Sequence, residues 1–165
     1  MKIKQVFALS ISLVFLLRIT EAQSVKTIKY GGVYAYGKNP VEGPAGQVTI
    51  YPESDSTILF YIDFTVGPPS YNLGQLYGKL RIINGYGIYF SKEPDDKKGC
   101  KWQMKIIGKV LTISTIDDSN ECGFGNRVSI DYSYKLKDAK IPKCIVDGHG
   151  HKIYFAKTSP ENYLR

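Results

Sequence analysis

The sequence is poor in the side chains from which most catalytic and metal sites are built. Its 165 residues include two histidines, three cysteines and one tryptophan. No serine is set between glycines as a nucleophile, and neither a phosphate loop nor a dinucleotide fingerprint occurs. After residue 22 no window holds a sustained apolar period of three to four residues, which argues against a helical architecture. Lysines and arginines are scattered with no basic run, a pattern that does not fit nucleic-acid binding. Low-complexity tracts and internal repeats are also missing.

What is present begins at the N-terminus. Lys2 and Lys4 precede an apolar run from Val6 to Leu17, and Thr20-Glu21-Ala22 offers small residues where a signal peptidase reads. Residues 1–22 are therefore expected to be a secretory signal cleaved after Ala22. The run is short for a spanning helix and no second one follows, so no membrane anchor is expected after cleavage. The expected location is secreted, periplasmic or extracellular. Cleavage removes Lys2, Lys4 and Arg18 together with Glu21, so the formal charge of +7 falls to +5.

Alternation with period two recurs through the rest of the chain. Thirteen tyrosines suit strands, and sixteen glycines with eight prolines supply turns. Strands are expected over Thr27–Tyr36, Gln47–Tyr51 and the Ile58–Val66 stretch, where Ile58, Phe60, Ile62, Phe64 and Val66 mark one buried face. Further strands are expected around Leu76–Ile82, Tyr86–Phe90, Trp102–Ile106, Leu111–Ile113 and Val128–Tyr134. Gly78 on the inward face signals a bend or a close backbone approach. Asn84-Gly85 is a strong hairpin signal, and Asp117 to Glu121 reads as a polar loop. Eight strands joined mostly by short turns give an all-β fold, an antiparallel up-and-down β-barrel or else a β-sandwich. Residues 23–135 form that barrel domain. Residues 136–165 read as a C-terminal β-hairpin appendix, with arms Lys143–Val146 and Lys152–Phe155 and a tail. A two-stranded unit is not stable alone, so it must dock on the barrel.

Three cysteines in a secreted chain allow one intramolecular disulfide and leave one thiol. Spacing alone permits three pairings. Cys100–Cys122 is favoured because both lie at the edge of the Trp102 hairpin, and Cys144 is expected to pack as a small hydrophobe in a short strand.

The run Gly67-Pro68-Pro69-Ser70-Tyr71-Asn72-Leu73-Gly74, the isolated Cys100, and Cys122-Gly123-Phe124-Gly125 leading to Val128 and Tyr134 carry a resemblance. Together they resemble small secreted β-barrel proteins of Gram-negative bacteria, uncharacterised and sometimes grouped as lysozyme-inhibitor-like. The resemblance covers roughly residues 30–135. It implies a small antiparallel barrel whose loop enters the cleft of a lysozyme or other cell-wall hydrolase. The nearest local match to such a loop is Asp147-Gly148-His149-Gly150-His151-Lys152-Ile153-Tyr154, with Asp147 and His149 where the family pattern has serines.

Two stretches therefore stand as candidate partner-binding sites. In the first, Pro69, Ser70, Tyr71 and Asn72 form a rigid loop whose prolines limit the entropy lost on binding. In the second, His149, His151 and Lys152 lie in the appendix turn. Two histidines one residue apart share a face on a strand, as in many metal sites, but the flanking glycines suggest a turn and no third ligand is evident, so no metal or cofactor is expected. Cys144 near His149 is the only cysteine–histidine pair close in sequence, and a structural role suits it better than catalysis. The expected function is that of a non-catalytic binding protein, not an enzyme, with a protein partner. The alternative is a lipocalin-like carrier of an apolar small molecule, against which the bulk of Phe60, Phe64, Trp102 and Met104 argues.

Overall fold

The computed structural model describes residues 27–163, so the expected signal segment 1–22 lies outside the described residues. Eight strands make one antiparallel sheet: β1 Gly32–Tyr36, β2 Ala45–Pro52, β3 Thr57–Thr65, β4 Leu73–Arg81, β5 Tyr86–Ser91, β6 Cys100–Ile107, β7 Val110–Asn120 and β8 Ser133–Asp138. Two more, β9 Cys144–Val146 and β10 Lys152–Tyr154, form a separate hairpin. The fold is all-β, a nearly closed barrel with strand order β4-β3-β2-β1-β8-β7-β6-β5. First and last barrel strands pair directly, β1 with β8, and the one open seam falls between the sequence neighbours β4 and β5.

Alternation fills the interior. Ile58, Phe60, Ile62 and Phe64 of β3 point inward with Tyr34, Val48, Ile50, Trp102, Met104, Leu111, Ile113 and Tyr134, all buried in one cluster. The Phe60 ring meets Tyr89 at 5.2 Å and Trp102 at 5.0 Å, both edge-on. Gly78 makes this possible. A Cβ there would stand 2.3 Å from the Phe60 ring and 2.9 Å from Tyr89, so only glycine leaves room for the three rings. Two hydroxyls inside the barrel are satisfied locally. Tyr34 donates to the Tyr30 carbonyl and Tyr134 to the Ile130 carbonyl, each at 3.0 Å.

The turns at one end are tight. Asn84 and Gly85 both take positive φ, 52° and 80°, and join β4 to β5, while Gly108-Lys109 joins β6 to β7. The opposite end carries the long loops, 37–44, 66–72, 92–99 and 121–132. There the Cys100–Cys122 disulfide ties the start of β6 to the chain just beyond β7, with its Cα atoms 4.5 Å apart. It closes the hairpin at its open end. Cys144 is a free, half-buried thiol in β9.

Several boundaries differ from the sequence expectation. Thr27 to Tyr30 form a 3-10 turn, and β1 starts only at Gly32. β7 runs on through Asp117 and Asp118 to Asn120 as a bulge, with both aspartates at positive φ and held by Lys101 and Lys98. Val128 to Tyr132 is not strand. That segment folds across the barrel mouth, with Phe124, Val128 and Tyr132 against the core, and the Tyr132 ring in a triangle of stacked rings with Tyr36 at 4.1 Å and Phe64 at 5.0 Å. Its apolar alternation serves as a lid over the end of the core, not as a ladder. Finally, β3 is buried on both faces. Leu59 and Tyr61 on its outer side join Tyr77, Ile153 and Phe155 in a second apolar cluster, because the β9–β10 hairpin lies against the barrel wall. Phe155 stacks on Tyr51 at 5.2 Å, nearly parallel.

Candidate functional site

The rigid loop after β3 is built by its own backbone. The Tyr71 amide donates to the Gly67 carbonyl at 2.8 Å, and the Val66 amide to the Asn72 carbonyl at 3.2 Å. Pro69, Ser70 and Tyr71 are exposed at its tip, and Tyr71 holds a positive φ of 51°. Asn72 turns sideways instead. Its Nδ2 donates to the Asn126 carbonyl at 2.7 Å, and the Leu73 carbonyl accepts from the Gly125 amide at 2.9 Å. These bonds fasten the loop to the glycine-rich segment after the disulfide. Gly74 fits beneath the Phe124 ring, where a Cβ would come within 2.9 Å.

The β9–β10 turn is organised by Asp147. Its carboxylate is buried, and Oδ1 accepts from the His149 amide at 2.9 Å and the His151 amide at 2.8 Å. Oδ2 accepts from the Tyr163 hydroxyl at 3.1 Å and faces His151 Nδ1 at 3.3 Å. Burial acts to raise the Asp147 pKa, but the bonds from His151, Tyr163 and His149 outweigh it and hold the carboxyl below its ordinary value. Burial and the bond to Asp147 push Tyr163 up to about 12. The carboxylate anchors the turn by the same chemistry that caps Asx-turns.

The two stretches meet across the barrel wall. The Gly148 amide donates to Gln75 Oε1 at 3.3 Å, and Gln75 Nε2 donates to Asp63 Oδ1 at 3.1 Å. Around this bridge lies a groove of about 360 Å3 lined by Leu73, Gln75, Cys122, Gly123, Gly148, His149 and Tyr163. It brings together the start of β4 just after the 66–72 loop, Cys122 of the disulfide, the hairpin turn and Tyr163 of the tail.

The candidate residues thus divide. His149 lines the groove, and Asn72 braces one wall beside Leu73. Pro69, Ser70 and Tyr71 stand at the adjoining loop tip. His151 is held at Asp147, its ring 6.1 Å from that of His149. Lys152 is an exposed residue of β10 opposite Val146 and does not line the groove. No group of three potential metal ligands occurs among the described residues. Gln75 and Tyr163 were not singled out in the sequence, and Leu73 and Asp147 entered it only as parts of the two runs that carry or match the resemblance. An aspartate two residues before a glycine-flanked histidine is a signal for Asp147, whereas Gln75 and Tyr163 acquire their place only through tertiary contact.

A second carboxylate organises the neighbouring loop. Glu121 Oε2 accepts from the Lys98 and Gly99 amides, each at 2.6 Å, and Oε1 from the Lys97 amide at 3.3 Å. These bonds, Gly99 foremost, lower its pKa.

Compared with known protein families, curated proteins and solved structures, the chain has no match.

Proposed function

We propose that the protein is a secreted, non-catalytic binding module that engages a protein partner through the groove at the loop end of the barrel. One observation carries this reading: the start of β4 at the foot of the 66–72 loop, the disulfide segment and the hairpin turn converge on one groove, and the loop and the turn are held by backbone hydrogen bonds. Surfaces fixed in this way lose little entropy on binding. Tyr71, 48% exposed, supplies a large amphipathic contact beside it. The disulfide supports the secreted location, because such bonds persist in oxidising compartments.

A lysozyme or another cell-wall hydrolase is the first partner class to test, with the Gly148–His151 turn as the segment that enters the cleft. The dense packing of Trp102, Phe60, Phe64 and Met104 inside the barrel favours binding outside it over the carrier alternative. The test is titration of mature protein into assays of several lysozyme classes, with a His149→Ala, Tyr71→Ala double variant beside it. Inhibition that the variant loses is expected. Absence of inhibition across all classes removes the lysozyme reading, and inhibition unchanged in the variant removes the groove.

A further inference from the structure

The ladder between β4 and β5 stops one pair after their turn. Ile83 and Tyr86 exchange two backbone bonds, at 2.8 and 3.0 Å, and no further pair joins the strands. Antiparallel ladders alternate in the direction their amides face, so neighbouring bonds show where each edge points. Ile106 donates to the Gly85 carbonyl at 2.7 Å, so in β5 the Tyr89 amide faces β6 while Ile88 and Phe90 turn theirs into the seam. A groove of about 280 Å3 runs along that seam, lined by Leu76, Gly78, Lys79, Tyr89, Phe90 and Glu161 among others.

The outer face of β5 is as open as its edge. Tyr86, Ile88 and Phe90 are 44%, 47% and 57% exposed and follow one another along the strand. Sheet edges of this kind are normally charged, broken by proline or covered. Three kinds of occupant would cover it, and two observations separate them. Free N–H and C=O groups are costly to carry into lipid, whereas an added strand bonds to both. Charge separates another chain from a second copy. Arg81 and Lys105 stand at the turn end of the stripe with no carboxylate partner among the described residues, and Lys92 lies at the far end with its ammonium on the Lys97 carbonyl. Lys79 and Lys101, by contrast, are neutralised by Glu53 and Asp117. Two copies docked edge to edge in antiparallel fashion would bring Arg81 and Lys105 of one against Lys92 of the other.

We propose that the β5 edge binds an extended segment of a partner protein by strand addition, the segment having an apolar, strand-forming centre and acidic residues at both ends. Its backbone bonds to Ile88 and Phe90, its centre covers the apolar stripe, and its acidic ends meet Arg81 and Lys105 at one side and Lys92 at the other. The seam groove adjoins the His149 groove at Gln75 and Tyr163, but Ile88, Phe90, Arg81, Lys92 and Lys105 line neither wall of the latter, so the test is independent of any inhibitory activity.

The probe is a synthetic peptide with a Val-Thr-Val-Ile-Val centre and an Asp-Glu pair at each end. Binding is followed by amide NMR and hydrogen exchange on the whole mature protein. The expected result is slowed exchange at Ile88 and Phe90, with affinity lowered by about tenfold or more in Phe90→Lys. Arg81→Glu, which leaves the strand and its apolar stripe in place, should weaken binding in the same direction. A version with proline at the central valine should not bind, and one with lysine ends should bind more weakly. Equal binding of the proline or lysine version overturns the proposal. So does failure of the acidic peptide to bind, a concentration-dependent dimer protected at Ile88 and Phe90, or protection of those amides by phosphatidylserine vesicles instead of peptide.

Discussion

The Tyr163 hydroxyl and the Asp147 carboxylate, sixteen residues apart, meet at 3.1 Å and join the C-terminal tail to the hairpin turn. Because Asp147 also takes the His149 and His151 amides, one buried carboxylate fixes both the turn and the tail that lies beside it.

The pH dependence of that anchor has a definite sign. The folded pKa of Asp147 lies below its ordinary value, so its contribution is complete above the ordinary aspartate value of about 3.9 and is lost as pH falls through the folded pKa. Amide exchange at His149 and His151, measured relative to the intrinsic rate at each pH, should therefore be slow at neutral pH and faster in acid below about pH 4. In Asp147→Ala it should be fast at neutral pH as well. Unchanged exchange in the variant would show that the turn holds without its carboxylate.

Glu121 makes a parallel case at the 92–99 loop. Three amides lower its pKa, so protonation below the ordinary glutamate value of about 4.3 should release that loop. Glu121→Gln should remove most of the acid sensitivity of the Lys98 and Gly99 amide resonances. A titration of those amides that is the same in both proteins contradicts the assignment.

Replacing Cys100 and Cys122 together with serine should lower stability by about 3 kcal/mol, the entropy released to an unfolded loop of this size. Urea denaturation at matched pH measures it. The barrel should remain folded, because Cys100 and Cys122 are two members of a core cluster that also holds Phe60, Phe64, Trp102, Met104 and Tyr134.

Gly78→Ala should cost about 1–3 kcal/mol, since the new methyl group meets the Phe60 and Tyr89 rings. A neutral result would mean that these rings move aside, and near-ultraviolet circular dichroism of the adjacent Trp102 would report that movement.

These positions also show how far the sequence was readable. Gly78 stood at an inward place in an alternating strand, where a missing side chain has a local meaning, and the rings it accommodates are those beside it in the fold. Asn84-Gly85 and the cysteine pair were legible for the same reason, because short-range geometry decides them. The Val128–Tyr132 stretch was not. Its alternation is the same whether the side chains face a neighbouring strand or cover the mouth of a barrel, and only the stacking of Tyr132 with Tyr36 and Phe64 distinguishes the two. β3 presents a related ambiguity. Leu59 and Tyr61 are apolar on a face that alternation assigns to solvent, and what covers them comes from more than eighty residues along the chain. In the groove, His149 could be found from its turn, whereas Gln75 became relevant only when the hairpin amide of Gly148 reached it.

That distant cover gives a further expectation. Phe155→Ala removes a buried ring stacked on Tyr51 and should cost about 3–5 kcal/mol. The loss should appear first as rapid amide exchange across β9 and β10, before the barrel opens. Simultaneous loss of protection in β2 and β3 would instead make the hairpin and barrel one cooperative unit.

The strand order carries a kinetic meaning. Strands β1 to β4 and β5 to β8 are each a meander of adjacent neighbours, and the pairing of β1 with β8 joins the two halves through partners such as Tyr34 and Leu136. Each half can form through short loop closures, but their union brings together residues about a hundred positions apart, a slow step in proteins rich in non-local contacts. Until that step, the β1 and β8 edges of two half-barrels lie exposed side by side, and crowding at high concentration would let halves of different molecules exchange partners.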